Sequence, residues 1–124
     1  MKSALKTVYL DNSATTQVYK ESAELAADIM YNSYGNPSSL HRKGIEAEKL
    51  IKRAKEQIAA TIKASPGEIY FTSGGTESDN LAIIGGCGAN RGKHIISTNI
   101  EHPAVMTTLQ HMEKKGYTVD FVPV

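Results

Sequence analysis

From Val18 to Tyr31 the apolar residues Ala23, Ala26, Ala27, Met30 and Tyr31 recur three and four apart, the spacing of one helical face. The turn-forming stretch Asn32 to Pro37 ends that helix. A longer stripe follows: Ala47, Leu50, Ile51, Ala54, Ile58 and Ile62 share a face, with Glu48, Lys49, Lys52, Arg53 and Lys55 on the rest. It predicts a long amphipathic helix with Ser38 or Ser39 as its N-cap. Ser65-Pro66-Gly67 breaks the pattern, and Ile69-Tyr70-Phe71-Thr72 is β-branched and aromatic enough to predict a buried strand. After Gly74 and Gly75, the segment Thr76 to Gly85 carries Leu81, Ala82, Ile83 and Ile84 and predicts a helix packed on a sheet. A glycine-rich run through Gly92 closes it and is expected to be a flexible connection. His94 to Thr98 is the next expected strand. Pro103 then stands at a first helical position, and Gly116 after Lys114 and Lys115 supplies the stop. Tyr117 to Val124 alternates and is valine-rich, predicting a last strand. Ahead of all these, the β-prone Thr7 to Leu10 and the aperiodic Asp11 to Thr16 read as an arm and a loop.

Strand, helix, strand, helix, strand at these spacings implies crossover connections and a parallel sheet, hence an α/β fold. The expected organisation is an arm and loop over 1–17, a helical segment over 18–64, and the start of an α/β domain over 65–124. Parallel strands are buried on both faces, so three strands ending at Val122-Pro123-Val124 leave an apolar edge uncovered. An incomplete sheet domain is therefore expected. No internal repeat or low-complexity segment offers another account.

Composition narrows the function classes. With 124 residues, 40% of them hydrophobic and 22% charged, the chain has one small domain's worth of polypeptide and no signature of disorder. A net charge of +1 gives no one-signed field for nucleic acid or an anionic membrane. The single cysteine, Cys87, forms no internal disulfide, and no Cys/His spacing suits a metal. The start Met1 to Lys6 is too short and polar for a signal peptide, and no apolar run reaches the ~18 residues of a spanning helix. A cytoplasmic protein is expected.

The chemistry concentrates at two places. Ser73-Gly74-Gly75-Thr76-Glu77-Ser78 lies between a strand and a helix, where small residues admit a ligand to the unpaired N–H groups of a helix start. Such a turn is either an anion cradle or a tight connection capped by Ser73 or Thr76. His102, in Ile100-Glu101-His102-Pro103-Ala104-Val105, follows a strand and precedes a helix, at the sheet edge that also carries Gly74 to Thr76. It is either a cleft imidazole or a capping or solvated loop residue. Gly86 to Arg91 lacks the third glycine of a dinucleotide fingerprint, and Gly92-Lys93-His94 is no phosphate loop. His94, His111 and the basic helix start at His41 read as structural or solvated, and Cys87 as a small buried hydrophobe.

Three separated motifs, Leu10 to Thr16, Gly35 to Gly44 and Phe71 to Ala82, closely resemble the amino-terminal third of cysteine desulfurases of the NifS/IscS type. Glu101-His102-Pro103-Ala104-Val105 matches a fourth motif of these class V aminotransferases, which have the fold type I architecture of pyridoxal phosphate enzymes. The resemblance implies that Gly75 and Thr76 bind the phosphate of pyridoxal 5′-phosphate, with Gly74 letting the backbone approach. It also implies that His102 stacks on the pyridine ring and assists proton transfer, so His102 is both the catalytic and a cofactor-binding candidate. The Asp11 to Thr16 and Gly35 to Gly44 segments would border the substrate cleft. Gln17 stands where the family often has proline, and Gly75 where alanine is frequent.

The resemblance further implies conversion of L-cysteine to L-alanine, with sulfur delivered as persulfide to acceptor proteins for iron-sulfur cluster assembly, by a homodimer. The family's Schiff-base lysine, its aspartate on the pyridine nitrogen and its sulfur-accepting cysteine lie beyond the matched region. None of the eleven lysines stands at the lysine's position, and Cys87 does not match the cysteine. The chain alone is therefore expected to be inactive, with the rest of the enzyme or a second chain supplying the lysine. The alternatives are a non-catalytic remnant, a phosphate-binding α/β module, or part of a related class V enzyme such as selenocysteine lyase.

Overall fold

The computed structural model describes residues 7–124, which fall into two compact units divided between Ile69 and Tyr70. The polar start over residues 1–6 lies outside the described residues.

In the first unit Thr7 to Leu10 has no regular structure, as an arm, and Tyr9 Oη shares a hydrogen bond of 2.6 Å with Thr15 Oγ1. Helix α1 spans Lys20–Asn32. Leu25 and Ile29 line a cavity of about 330 Å³ with residues of the next helix, but no residue of α1 is buried: Leu25, Met30 and Tyr31 are all exposed and Ile29 is half-buried. Apolar residues occupy most of the circumference of α1, so periodicity alone does not select a face.

Helix α2 spans Arg42–Ile62, and its N-cap is His41, not Ser38 or Ser39. The serines are used in a turn: Ser38 N–H donates to Asn36 Oδ1 at 2.9 Å and Ser39 N–H to the Asn36 carbonyl at 3.0 Å. His41 Nδ1 then accepts from Gly44 N–H at 3.4 Å. Gly35 and Gly44 are required there, because a Cβ on either would overlap a backbone carbonyl, of Lys43 and Ser39 respectively. Lys43 Nζ reaches back to the Asn32 carbonyl at 3.0 Å and lies over the Tyr34 ring, fixing the connection from α1 to α2. Ala47 and Ala59 are buried along α2, and a short 3-10 turn, Pro66–Glu68, follows it.

The second unit holds α3 (Gly75–Ala89), β1 (His94–Thr98), α4 (Pro103–Lys114) and β2 (Thr118–Val122). β1 and β2 pair in parallel, His94 opposite Thr118 and Thr98 opposite Val122, with α4 as the crossover. The α/β reading is met in this strand–helix–strand unit. The strand expected over Ile69 to Thr72 does not form: the described sheet consists of β1 and β2, and Tyr70 and Phe71 are exposed. A strand exists only with a hydrogen-bonding neighbour, which local β preference cannot supply. Among the described residues the sheet therefore has two strands instead of the expected three. The glycine-rich run is also corrected, since α3 continues through Gly85, Gly86 and Gly88 to Ala89. The core of this unit is the face of α4 formed by Ala104, Thr108, Leu109 and Met112, against which α3 packs. Leu109 and Met112 are each only 2% exposed.

Candidate functional site

The turn into α3 is built by its own polar residues. Glu77 Oε2 accepts from both Ser73 N–H and Ser73 Oγ at 2.6 Å, and Thr72 Oγ1 shares a 2.6 Å hydrogen bond with Ser78 Oγ. The Ser73 hydroxyl first, and its amide second, hold the Glu77 carboxyl below the usual carboxylate range. Ser73 is therefore committed to Glu77, and Gly74 is the N-cap of α3, with no side chain capping the helix. The alternative of a turn capped by Ser73 or Thr76 is not what forms. Ser78 N–H to the Gly74 carbonyl, 3.1 Å, is the first bond of the helical pattern. The N–H groups of Gly75 and Thr76 precede it and have no intrahelical acceptor. Nothing lies within 4 Å of where a Cβ would stand on Gly74 or Gly75, so the backbone is open there.

His102 is the N-cap of α4, with its Nδ1 accepting from Ala104 N–H at 3.1 Å and Pro103 as the first helical residue. An imidazole that accepts at Nδ1 carries its proton on Nε2. The capping and cleft roles of His102 are thus compatible, because they use different nitrogens. Thr76 and His102 line one cavity of about 320 Å³, together with Asn80 and α4 residues including Thr107 and Thr108. Gly74 and Gly75 are exposed and stand outside that lining.

The fold thus brings Thr76 and His102 together, with Gly74 and Gly75 at the head of the same helix as Thr76. The Asp11 to Thr16 and Gly35 to Gly44 segments belong to the other compact unit, where Asn12 and Thr16 line a separate cavity of about 430 Å³. His94 Nε2 pairs with Asp120 Oδ2 across the two strands at 2.7 Å, a structural role. His41 caps α2, His111 lies exposed in the last turn of α4, and Cys87 is half-buried in α3. Sequence reasoning missed Asn80 and Thr108, which join α3 to α4 beside the cavity. Asn80 lies inside a matched motif, but its partner is 28 residues away and no local spacing announces it.

A glycine turn opening one helix and a histidine capping the next, over a shared cavity beside parallel strands, accord with what the whole chain matches. The family model for class-V aminotransferases covers residues 8–124, and the chain belongs to that family. Relatives that it matches are named cysteine desulfurases. The chain is 49% identical over 121 residues to cysteine desulfurase IscS of Methanosarcina thermophila, a match covering 96% of this chain and 30% of the relative. Against a cysteine desulfurase of Trichormus azollae it is 45% identical, covering 97% and 30%. A solved NifS-like protein superposes with a TM-score of 0.83 at 40% identity, covering 91% of this chain and 32% of that one. The structure of SspA in complex with cysteine gives a TM-score of 0.83 at 38% identity, covering 94% and 34%. The chain spans about a third of the length of the proteins it matches. Among the described residues, no helix is long and apolar enough to cross a membrane.

Proposed function

We propose that this chain supplies the phosphate cradle and an active-site imidazole of a pyridoxal 5′-phosphate-dependent cysteine desulfurase. The observation that carries this reading is the shared cavity: Thr76 and His102, 26 positions apart in sequence, line one space at the head of α3 and α4. The residues fit a phosphate-bearing aromatic ring. Two amides without intrahelical acceptors, the Thr76 hydroxyl and the positive end of the α3 dipole suit a phosphate dianion. The open backbone at Gly74 and Gly75 lets it approach closely.

When bound, the cofactor supplies an electron sink for breaking bonds at the substrate's amino-bearing carbon. The chain's own residues do the rest of what is proposed here. Gly75 N–H, Thr76 N–H and Thr76 Oγ1 hold the phosphate. His102 presents a flat face to a flat ring, and its Nε2 holds or moves a proton while Nδ1 stays fixed on Ala104 N–H. Anchoring one nitrogen on the backbone sets the position of the other, which proton transfer requires.

In the complete enzyme the substrate is L-cysteine, converted to L-alanine, and the sulfur leaves as a persulfide to acceptor proteins of iron-sulfur cluster assembly. The names of the relatives and the structure of SspA with cysteine support this substrate. The covalent lysine, the ring's acidic partner and the sulfur-accepting cysteine come from polypeptide other than these 124 residues, in a cytoplasmic homodimer. The test is to purify the tagged chain from its own cell and determine intact mass and pyridoxal content. Cofactor together with a longer polypeptide or a second chain is the expected result. A lone, cofactor-free 13.4 kDa species overturns the reading in favour of a remnant.

A further inference from the structure

Asn80 uses both ends of its side-chain amide. Its Nδ2 donates to the Thr76 carbonyl at 2.8 Å, one turn back in α3. Its Oδ1 accepts from Thr108 Oγ1 at 2.9 Å, in α4. Thr108 is 3% exposed, and its single hydroxyl proton is shared between Asn80 Oδ1 and the Ala104 carbonyl, 2.8 Å away. Ala104 in turn donates its N–H to His102 Nδ1. A continuous series of polar contacts therefore runs from Thr76 through Asn80, Thr108 and Ala104 to His102, and all five residues line the same cavity.

Helix packing by apolar contact is non-directional, so two helices held only by it slide and rotate by fractions of an ångström. A hydrogen bond between a hydroxyl and an amide is directional, so it weakens when the two helices that carry them shift relative to each other. The Asn80–Thr108 bond is the directional contact between α3 and α4, and it lies one turn from Thr76 on one helix and about one and a half turns from His102 on the other. We propose that Asn80 is a positioning residue, which through Thr108 fixes the spacing between the anion cradle at Thr76 and the imidazole of His102. A cofactor held by its phosphate at one helix and by its ring at the other needs that spacing set before binding. The importance of the spacing rests on the function proposed above, whereas the linkage itself is a property of the chain without ligand.

The test follows the linkage across helices by NMR of the full chain with no cofactor added. Asn80→Ala, a change on α3, is expected to shift the His102 imidazole resonances on α4. Thr108→Val, isosteric and lacking the hydroxyl, is expected to shift the amide resonances of Gly75 to Glu77 on α3, while Thr108→Ser leaves them in place. A shift across the helices in either variant, with rescue by serine, supports positioning. Variants that lose stability yet shift resonances on their own helix alone overturn it and reduce Asn80 to a packing residue. If Thr108→Val does not fold, Asn80→Ala, at a half-buried site, decides between the same two outcomes. Failure here leaves cofactor content in the purified complex unchanged, so the two proposals fail separately.

Discussion

Tyr117 donates its hydroxyl to the backbone carbonyl of Cys87, 3.1 Å away and 30 residues earlier, joining the start of β2 to the last turn of α3. Asn90 closes the same helix end, with its Nδ2 on the Gly86 carbonyl at 2.7 Å and its N–H on the Cys87 carbonyl at 3.3 Å. The last carbonyls of a helix lack intrahelical donors, and here a side chain from another element and a C-cap asparagine provide them. These contacts support the end of α3, where three glycines have poor helical preference. Tyr117→Phe should cost about 0.5–1.5 kcal/mol of stability and speed amide exchange in the last turn of α3 before elsewhere. Unchanged exchange there would show that Asn90 suffices.

In cofactor-loaded enzyme, Thr76→Val keeps the shape of the side chain and removes its hydroxyl. A hydrogen bond to a charged group is worth about 1.5–3 kcal/mol, so pyridoxal 5′-phosphate should bind roughly 10-fold or more weakly. Cofactor loss on dilution, followed by absorbance, measures it. Undiminished retention removes Thr76 from the phosphate site.

His102 has two separable roles, and two substitutions divide them. His102→Ala removes the cap on Ala104 N–H and should destabilise α4 by about 1 kcal/mol, whereas His102→Asn keeps an N-cap acceptor and should not. Both should slow turnover of the complete enzyme by about 100-fold or more, the usual cost of losing a proton-transfer group. A fully active Asn variant would assign His102 to capping alone.

Acid should loosen the head of α3. Ser73 holds the Glu77 carboxyl below its ordinary value of 4.5, so the folded state favours the carboxylate. A depressed value means that the Glu77–Ser73 contact contributes in full above 4.5 and is lost as pH falls through the lowered value. Glu68, lowered first by the Ser65 amide and then by its hydroxyl, behaves the same way at the 3-10 turn. Amide resonances of residues 73–78 followed from pH 6 downward should report the change, and Glu77→Gln should remove it. A pH response that survives Glu77→Gln would assign it to another group.

Gly44 is held against the Ser39 carbonyl, where a Cβ cannot fit. Gly44→Ala should therefore destabilise the first unit by about 1–3 kcal/mol, the range for an overpacked site. Gly67→Ala, with nothing within 4 Å of the new Cβ, is the control and should change stability little. Urea midpoints of the two variants compare them directly.

The local pattern of the chain contains much of this protein. Pro103 ahead of an apolar stripe and Gly116 after two lysines bound α4 to within a residue or two, because caps and breakers act through their immediate neighbours. β1 appears over the expected five residues, His94–Thr98, for the same reason: β-branched runs between turns are local signals. Four motifs, matched in order, carried the family without coordinates. Other features were decided by residues far away in the sequence. Whether Ile69 to Thr72 pairs as a strand depends on a neighbour, and the last turn of α3, with its glycines, is tied to Tyr117 thirty residues on from Cys87. The N-cap of α2 is decided by the turn that consumes Ser38 and Ser39. Sequence pattern places Thr76 and His102 each at the head of a helix, since backbone preferences are local. Only the packing of α3 on α4, fixed by the directional bond from Thr108 to Asn80, brings them to one cavity.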